Sequence, residues 1–271
     1  MAGSVRLERR LSAGRSHRMY QGRSEAGDLV AVKVGGDARS LAYESDILHH
    51  LAAADYPAPY PLGLTFVDDV GRSRQPALVL SWLDGTMPRD RAGWHSIGVR
   101  LAQLHSLPAP PGLPQRLLPS AQDLPDRLRD ETGLLPWIRD ALEGSGGDPV
   151  FSHGDAAPEN FLHEAGAVGA FVDFESACRQ PAGADLGRVL FFLVDGSPAR
   201  TIRAARALLR GYGRRPVDLF TTFAWAAAEG LRIATWRHRN AGRPGVPSWA
   251  LALATADRCR QTADALRCRP C

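Results

Sequence analysis

Phe151-Ser152-His153-Gly154-Asp155-Ala156-Ala157-Pro158-Glu159-Asn160, followed by Phe171-Val172-Asp173-Phe174-Glu175, is the stretch that decides how this chain is read. It has the form H-G-D-x-x-x-x-N and then, thirteen residues after Asn160, a hydrophobic run ending in an aspartate. Phosphoryl transfer asks a protein mainly for positioning and charge, and this spacing suits it. Asp155 would orient an acceptor hydroxyl and take up its proton. Asn160 and Asp173 would hold magnesium against the phosphates of a nucleotide. Between them, Phe161-Leu162-His163 and Val168 to Val172 read as two short strands that reverse the chain and return Asp173 beside Asn160.

A compositional fact points to one more residue. Lysine and arginine together number 33, yet Lys33 is the only lysine. A chain so biased to arginine keeps lysine where a compact, flexible ammonium is needed rather than a planar fork. Lys33 ends the apolar run Val30-Ala31-Val32.

Outward from these residues the pattern divides in two. Val5 to Arg10, Arg18 to Arg23 and Leu29 to Gly35 read as strands, with a hairpin loop at Ser24 to Asp28. Ala38 to Ala54 carries Leu41, Ile47, Leu48 and Leu51 at helical spacing and stops at Asp55-Tyr56-Pro57. Leu62 to Asp68 and Ala77 to Trp82 read as two further strands around the turn Asp69 to Arg74. Residues 1–84 are therefore expected to form a five-stranded antiparallel sheet with one helix, and residues 85–271 a mainly helical lobe. Helices are expected at Trp94 to Leu107, Leu124 to Glu131 and Leu134 to Glu143. After Asp185 the chain reads as helical almost to its end, with breaks at Gly196 to Pro198, Gly211 to Pro216 and Gly242 to Pro247.

With these pieces in this order, the chain resembles the aminoglycoside phosphotransferase and choline-kinase-like family, distant relatives of the protein kinases. The resemblance rests on the H-G-D-x-x-x-x-N loop, on Asp173-Phe174-Glu175, and on Pro181-Ala182-Gly183-Ala184-Asp185-Leu186, similar to the family's P-x-x-x-D-L. It runs from the first strands to about residue 195 and implies an α+β, bilobal, protein-kinase-like fold. Val30-Ala31-Val32-Lys33 is similar to the V-A-I-K strand that presents a lysine to nucleotide phosphates. The resemblance makes Glu44 the acid that pairs with Lys33. It makes the backbone of Leu80 to Leu83, with Ser81 and Leu83, the edge that binds the purine. The turn Gly14 to His17 stands where the phosphate-covering loop belongs; it lacks G-x-G-x-x-G, and Ser16 with backbone N–H groups would take its part. The implied activity is magnesium-dependent transfer of the γ-phosphoryl group of ATP or GTP to an alcohol.

Asp185 and His105 read as structural, the first as a helix cap or a brace accepting N–H groups of the catalytic loop. His153 is expected to support that loop by hydrogen bonds. For the acceptor, Asp123, Asp126, Asp130, Glu131, Asp195, Asp218 and Glu229 would suit a cationic small molecule, such as an aminoglycoside or another basic antibiotic. A metabolic kinase of the choline, homoserine or sugar type stays open, as does a non-catalytic kinase fold acting as a binding module. The net charge of +4 comes from scattered arginines. Arg200, Arg203, Arg206 and Arg210 read as a solvated helix face, with no aromatic–basic nucleic-acid motif beside them. No apolar run is long enough to span a bilayer, so no membrane partner and a cytoplasmic location are expected. Cys178, Cys259, Cys268 and Cys271 read as free thiols.

Overall fold

The computed structural model describes residues 5–13, 17–68, 74–126, 128, 133–145, 147–163, 169–194, 197–213, 218–243 and 245–267. Two compact units emerge: Met1–Gly85 with Phe171–Ala177, and Thr86–Ala170 with Cys178–Cys271.

The first unit is an antiparallel sheet of β1 (Arg6–Ala13), β2 (Arg18–Arg23), β3 (Leu29–Val34), β4 (Pro61–Val67) and β5 (Gln75–Ser81), in the order β1-β2-β3-β5-β4. Alternation along β3 separates two faces: Val30, Val32 and Val34 enter a core with Val67, Ala77 and Val79, while Lys33 points to the other side. Helix α1 (Ala38–Ala53) packs against β4 and β5 through Leu41, Ile47, Leu48 and Leu51. Asp37 caps it by accepting the Arg39 N–H at 2.9 Å. Its stop at Asp55 follows the sequence, with Asp55 in left-handed backbone and the Tyr56 N–H bonded to the Leu51 carbonyl at 2.9 Å. Strand β1 outruns its expected end at Arg10, because two register shifts against β2 let the chain stay paired as far as Ala13. The turn at 69–73 lies outside the described residues.

The second unit holds α2 (Arg91–Leu104), α3 (Leu134–Leu142), α4 (Ala182–Leu193), α5 (Pro198–Tyr212), α6 (Leu219–Arg239) and α7 (Trp249–Arg267). The fold class is α+β, as the sequence implied. Helix α6 is buried on nearly every side, from Phe223 to Ala228 and on to Ala234, and packs between α4, α3 and α7. Helix α2 begins earlier than expected, because Asp90 accepts the Gly93 N–H at 2.8 Å and starts the helix there. Half of the helix expected at Leu124 to Glu131 lies outside the described residues. The exposed side of α5 carries Arg200, Arg203, Arg206 and Arg210. No helix among the described residues is long and apolar enough to cross a membrane.

Two short ladders frame the catalytic stretch. β6 (Val150–Ser152) pairs antiparallel with β9 (Cys178–Gln180), and β7 (Phe161–Leu162) pairs with β8 (Ala170–Phe171). Strand β6 runs straight into His153, and β9 straight into α4, so both sides of the loop are fixed by one ladder. Sequence reading missed β6 and β9.

Helices α2 and α5 touch backbone to backbone. A Cβ on Gly98 would stand 2.1 Å from the Leu208 carbonyl oxygen, and one on Gly211 would stand 2.0 Å from that of His95. Gly98→Ala is therefore expected to cost about 1–3 kcal/mol, the usual range for overpacking. Thermal unfolding reads this directly, and an unchanged melting temperature would show that the two helices can part at no cost.

Candidate active site

In the first unit the site grows from β3 and α1. Glu44 sits on the buried side of α1, in line with Leu41, Leu48 and Leu51, so its carboxylate is carried into the protein by the apolar stripe around it. There it meets the one lysine. Lys33 Nζ is 2.7 Å from Glu44 Oε2, 2.7 Å from Asp173 Oδ1 and 2.9 Å from Glu175 Oε2. An ammonium has three protons and three carboxylates receive them; a planar guanidinium has no such geometry. Lys33 and Glu44 are 4% and 1% exposed.

Segment 171–177 is tied to α1. Glu44 Oε1 accepts the Phe174 N–H at 3.1 Å, and the Tyr43 hydroxyl donates to the Ala177 carbonyl at 2.6 Å. The buried Phe174 ring meets Tyr56 edge-on, with centroids 6.4 Å apart. Asp173 itself has φ 66° and ψ 67°, a left-handed conformation that costs a non-glycine residue energy and that aspartate tolerates better than most. His17, buried at the foot of β2, bonds through Nδ1 to Glu175 Oε2 at 2.9 Å.

Burial alone would lower the pKa of Lys33, but the charges of Glu44, Asp173 and Glu175 outweigh it and raise it. Burial pushes the Glu44 carboxyl up, against the pull of Lys33. The hydrogen bond from His17 does most to hold Glu175 down at about 2, with the Lys33 charge helping against burial. Three carboxylates around one ammonium leave an excess of negative charge, and their oxygens lie within 4.8 Å of one another. Such an oxygen set fits a hard divalent cation. Lys33→Met would leave the buried Glu44 facing two further carboxylates and is expected to cost about 3–5 kcal/mol, as for other broken buried pairs. Urea denaturation measures it; an unmoved midpoint would mean the lysine contributes nothing to holding the acids together.

The second unit carries the H-G-D loop. Gly154 has φ 77°, a conformation that favours glycine, and its N–H donates to Asp185 Oδ1 at 3.0 Å. The His153 N–H donates to Asp185 Oδ2 at 2.8 Å, and Gln180 Nε2 to Oδ1 at 3.1 Å. His105 Nε2 lies 3.1 Å from Oδ2 and its Nδ1 lies 3.0 Å from the Tyr212 hydroxyl. Asp185 thus braces the loop rather than capping α4, the second of its two expected roles. His153 supports the loop, accepting the Asp155 N–H on Nδ1 at 3.2 Å. Asn160 Nδ2 donates to the Asp155 carbonyl at 2.9 Å. The Asp155 side chain is 33% exposed and is ion-paired with Arg188 Nη2.

Among the expected site residues, Lys33, Glu44 and Asp173 meet in the first unit, while Asp155 and Asn160 share one loop in the second. Ser81 closes β5, its N–H donating to the Tyr60 carbonyl and its hydroxyl accepting the Tyr60 N–H, each at 2.8 Å. Leu83 follows in irregular backbone. Ser16 lies outside the described residues, as do Cys268 and Cys271. Cys178 and Cys259 are buried free thiols, each pushed up to about 12 by burial. Three residues were not foreseen: His17, Arg188 and Arg116, whose Nη1 donates to the Gly154 carbonyl at 2.6 Å. The signal for Arg188 was its place one helical turn after Asp185.

The sequence pattern of the phosphotransferase enzyme family matches residues 8–231, from before His17 to beyond Glu229. The chain belongs to this family. Two solved structures share its protein-kinase-like α+β fold. The GDP complex of aminoglycoside 2'-phosphotransferase-IIIa has a TM-score of 0.64 at 17% identity, over 96% of this chain and 93% of that one. Choline kinase from Cryptosporidium parvum Iowa II has a TM-score of 0.64 at 11% identity, over 97% and 90%. Within curated phosphotransferases, the chain is 27% identical over 209 residues to homoserine kinase from Rhodopseudomonas palustris. That match takes in 66% of this chain and 61% of the relative's length.

Proposed function

We propose that the protein transfers the γ-phosphoryl group of ATP or GTP to a hydroxyl of a small molecule. The observation that carries this reading is the lone lysine, 2.7 Å from both Glu44 and Asp173. Freed from Asp173 by a nucleotide, the Lys33 ammonium would hold the α- and β-phosphates while Glu44 fixes its reach. Asp173 and Asn160 would hold a magnesium ion, whose chemistry is to draw charge from the phosphate oxygens. Asp155 would orient the acceptor hydroxyl and receive its proton. The backbone at Ser81 and Leu83 would bind the purine edge, and the turn with Ser16 would cover the phosphates. Residues 1–84 thus serve the nucleotide and residues 85–271 the catalytic loop and the acceptor, in the cytoplasm, where nucleoside triphosphates abound.

The likeness to an aminoglycoside phosphotransferase supports a basic antibiotic as acceptor. The names of the curated relatives support a metabolic alcohol instead, and we take that reading. Of the acids expected to bind an amine, Asp218 caps α6 through the Thr221 N–H at 2.7 Å, and Asp123 accepts from the Ser120 N–H and hydroxyl. Glu229 is 1% exposed between Arg188 and Arg232, and Asp130, Glu131 and Asp195 lie outside the described residues. Those relatives are named homoserine kinases.

The test is turnover of ATP or GTP with magnesium against a mixed library of antibiotics and metabolites. Nucleoside diphosphate should form faster with the library present, together with a product heavier by one phosphate. Failure to bind magnesium–nucleotide in a calorimeter would return the protein to a non-catalytic binding module.

A further inference from the structure

Arg188 stands one helical turn after Asp185 on α4, and its guanidinium is committed on several sides. Nη2 pairs with Asp155 Oδ1, while Nη1 lies 3.5 Å from Glu229 Oε2. The Phe192 ring lies across the guanidinium with its centroid 5.5 Å away, and Nε is sealed from solvent. Glu229 is 1% exposed, and its other oxygen accepts from Arg232 Nη1 at 2.6 Å. A carboxylate is costly to bury alone. Paired with two arginines, Glu229 becomes a fixed anchor behind Arg188. At the front, the contacts of Asp155 with His153 and Asn160 hold only its backbone N–H and carbonyl. They leave the carboxylate free to turn. Among the described residues, the contact that fixes that carboxylate is the one from Arg188 to Oδ1.

We infer that Arg188 is the positioning residue of the base, pinning Oδ1 of Asp155 so that Oδ2 meets the acceptor hydroxyl. The inference rests on the phosphotransferase reading and deepens it. The hydroxyl oxygen bonds to the γ-phosphorus as the bond from that phosphorus to the β–γ bridging oxygen breaks. The hydroxyl proton passes to Oδ2, and the nucleoside diphosphate leaves with the electron pair of the broken bond. Arg188 itself gives up no proton, because a guanidinium stays protonated in a protein. Once Asp155 has taken the proton it is neutral, and Glu229 then balances the arginine alone. That gives the buried acid a part in the cycle. A planar fork spans two acids at once, which a lysine ammonium on this helix would do poorly.

The experiment uses the full chain with magnesium and ATP or GTP, and L-homoserine, choline and kanamycin as acceptor probes. Rates are read on whichever probe the wild type phosphorylates, or on transfer to water if it phosphorylates none. Arg188→Ala should lower kcat about a hundredfold, the cost of a misplaced reacting group, with KM for magnesium–nucleotide within about twofold of wild type. Guanidinium chloride at about 50 mM, far below denaturing levels, should restore part of the lost rate, and sodium chloride at the same concentration should not. Arg188→Lys keeps the charge and the helix, and serves where Arg188→Ala does not fold; its kcat should fall about tenfold with KM unchanged. In Asp155→Ala, either substitution should bring no further loss, since Arg188 acts only through that carboxylate. A kcat within about threefold of wild type for both variants overturns the inference. So does a further loss in the Asp155→Ala background, which would make Arg188 a structural residue. Both results leave the phosphotransferase reading standing; a wild type that turns over neither probe nor water removes the two together.

Discussion

Asp155→Ala is expected to lower the rate of phosphoryl transfer by about a thousandfold, within the span that a positioned general base contributes. The loss should fall on kcat, with magnesium–nucleotide affinity close to wild type. The reason is in how the loop is held. His153 Nδ1 bonds the backbone N–H of residue 155, and Asn160 Nδ2 bonds its backbone carbonyl, so both contacts survive the substitution. Arg188 keeps Glu229 as a partner. What disappears is the carboxylate proposed to receive the acceptor proton. Asp155→Asn tests the point more sharply, since an amide keeps the shape and cannot take a proton. A coupled assay for nucleoside diphosphate and a calorimetric titration read the two effects separately. Activity within tenfold of wild type would mean that another group is the base.

The second large effect falls on stability. Asp185→Ala should cost about 3–5 kcal/mol, the range for removing one partner from a buried charged set. It would orphan the His153 and Gly154 N–H groups, Gln180 Nε2 and His105 Nε2, all buried with it. Against a typical total stability of about 5–15 kcal/mol, this is a large fraction. Chemical denaturation checks it, and a midpoint unchanged from wild type would contradict the bracing role. The pH dependence has a definite sign. Burial alone would raise the Asp185 carboxyl, but the His105 hydrogen bond, the charges of His105 and His153 and the His153 N–H outweigh it and hold it below its ordinary value. An acid lowered in the folded state stabilises fully above its unfolded pKa, near about 3.9, and loses that contribution as pH falls towards the folded value. The gap between wild type and Asp185→Ala should therefore narrow in acid.

Much of the fold was legible because its signals are local. Alternating valines placed β3, the apolar stripe of α1 carried Glu44 inward, and breaks at Gly and Pro marked the ends of α4, α5 and α6. The bias to arginine made Lys33 conspicuous, and the structure surrounds it with carboxylates. What escaped was short or distant. β6 and β9 have three residues each, too few to show a period, and their pairing joins positions about thirty residues apart. β1 ran past its expected end because bulges leave no mark in composition. The same arginine bias that exposed Lys33 concealed Arg188 among many like it. Among the acids expected to greet a cation, a helix cap such as Asp218 and a buried strut such as Glu229 look the same in sequence as a binding group.

Phosphorus NMR of a single reaction follows the transferred group itself. The protein is mixed with magnesium, ATP or GTP and a hydroxyl-rich small-molecule extract, and the γ-phosphate resonance is tracked. Its signal should decay into a new phosphomonoester resonance on an organic product, with the nucleoside diphosphate appearing in equal amount and both forming about a thousandfold more slowly with Asp155→Ala. A γ-phosphate that stays on the nucleotide, or that ends only as inorganic phosphate, would contradict transfer to a small-molecule hydroxyl.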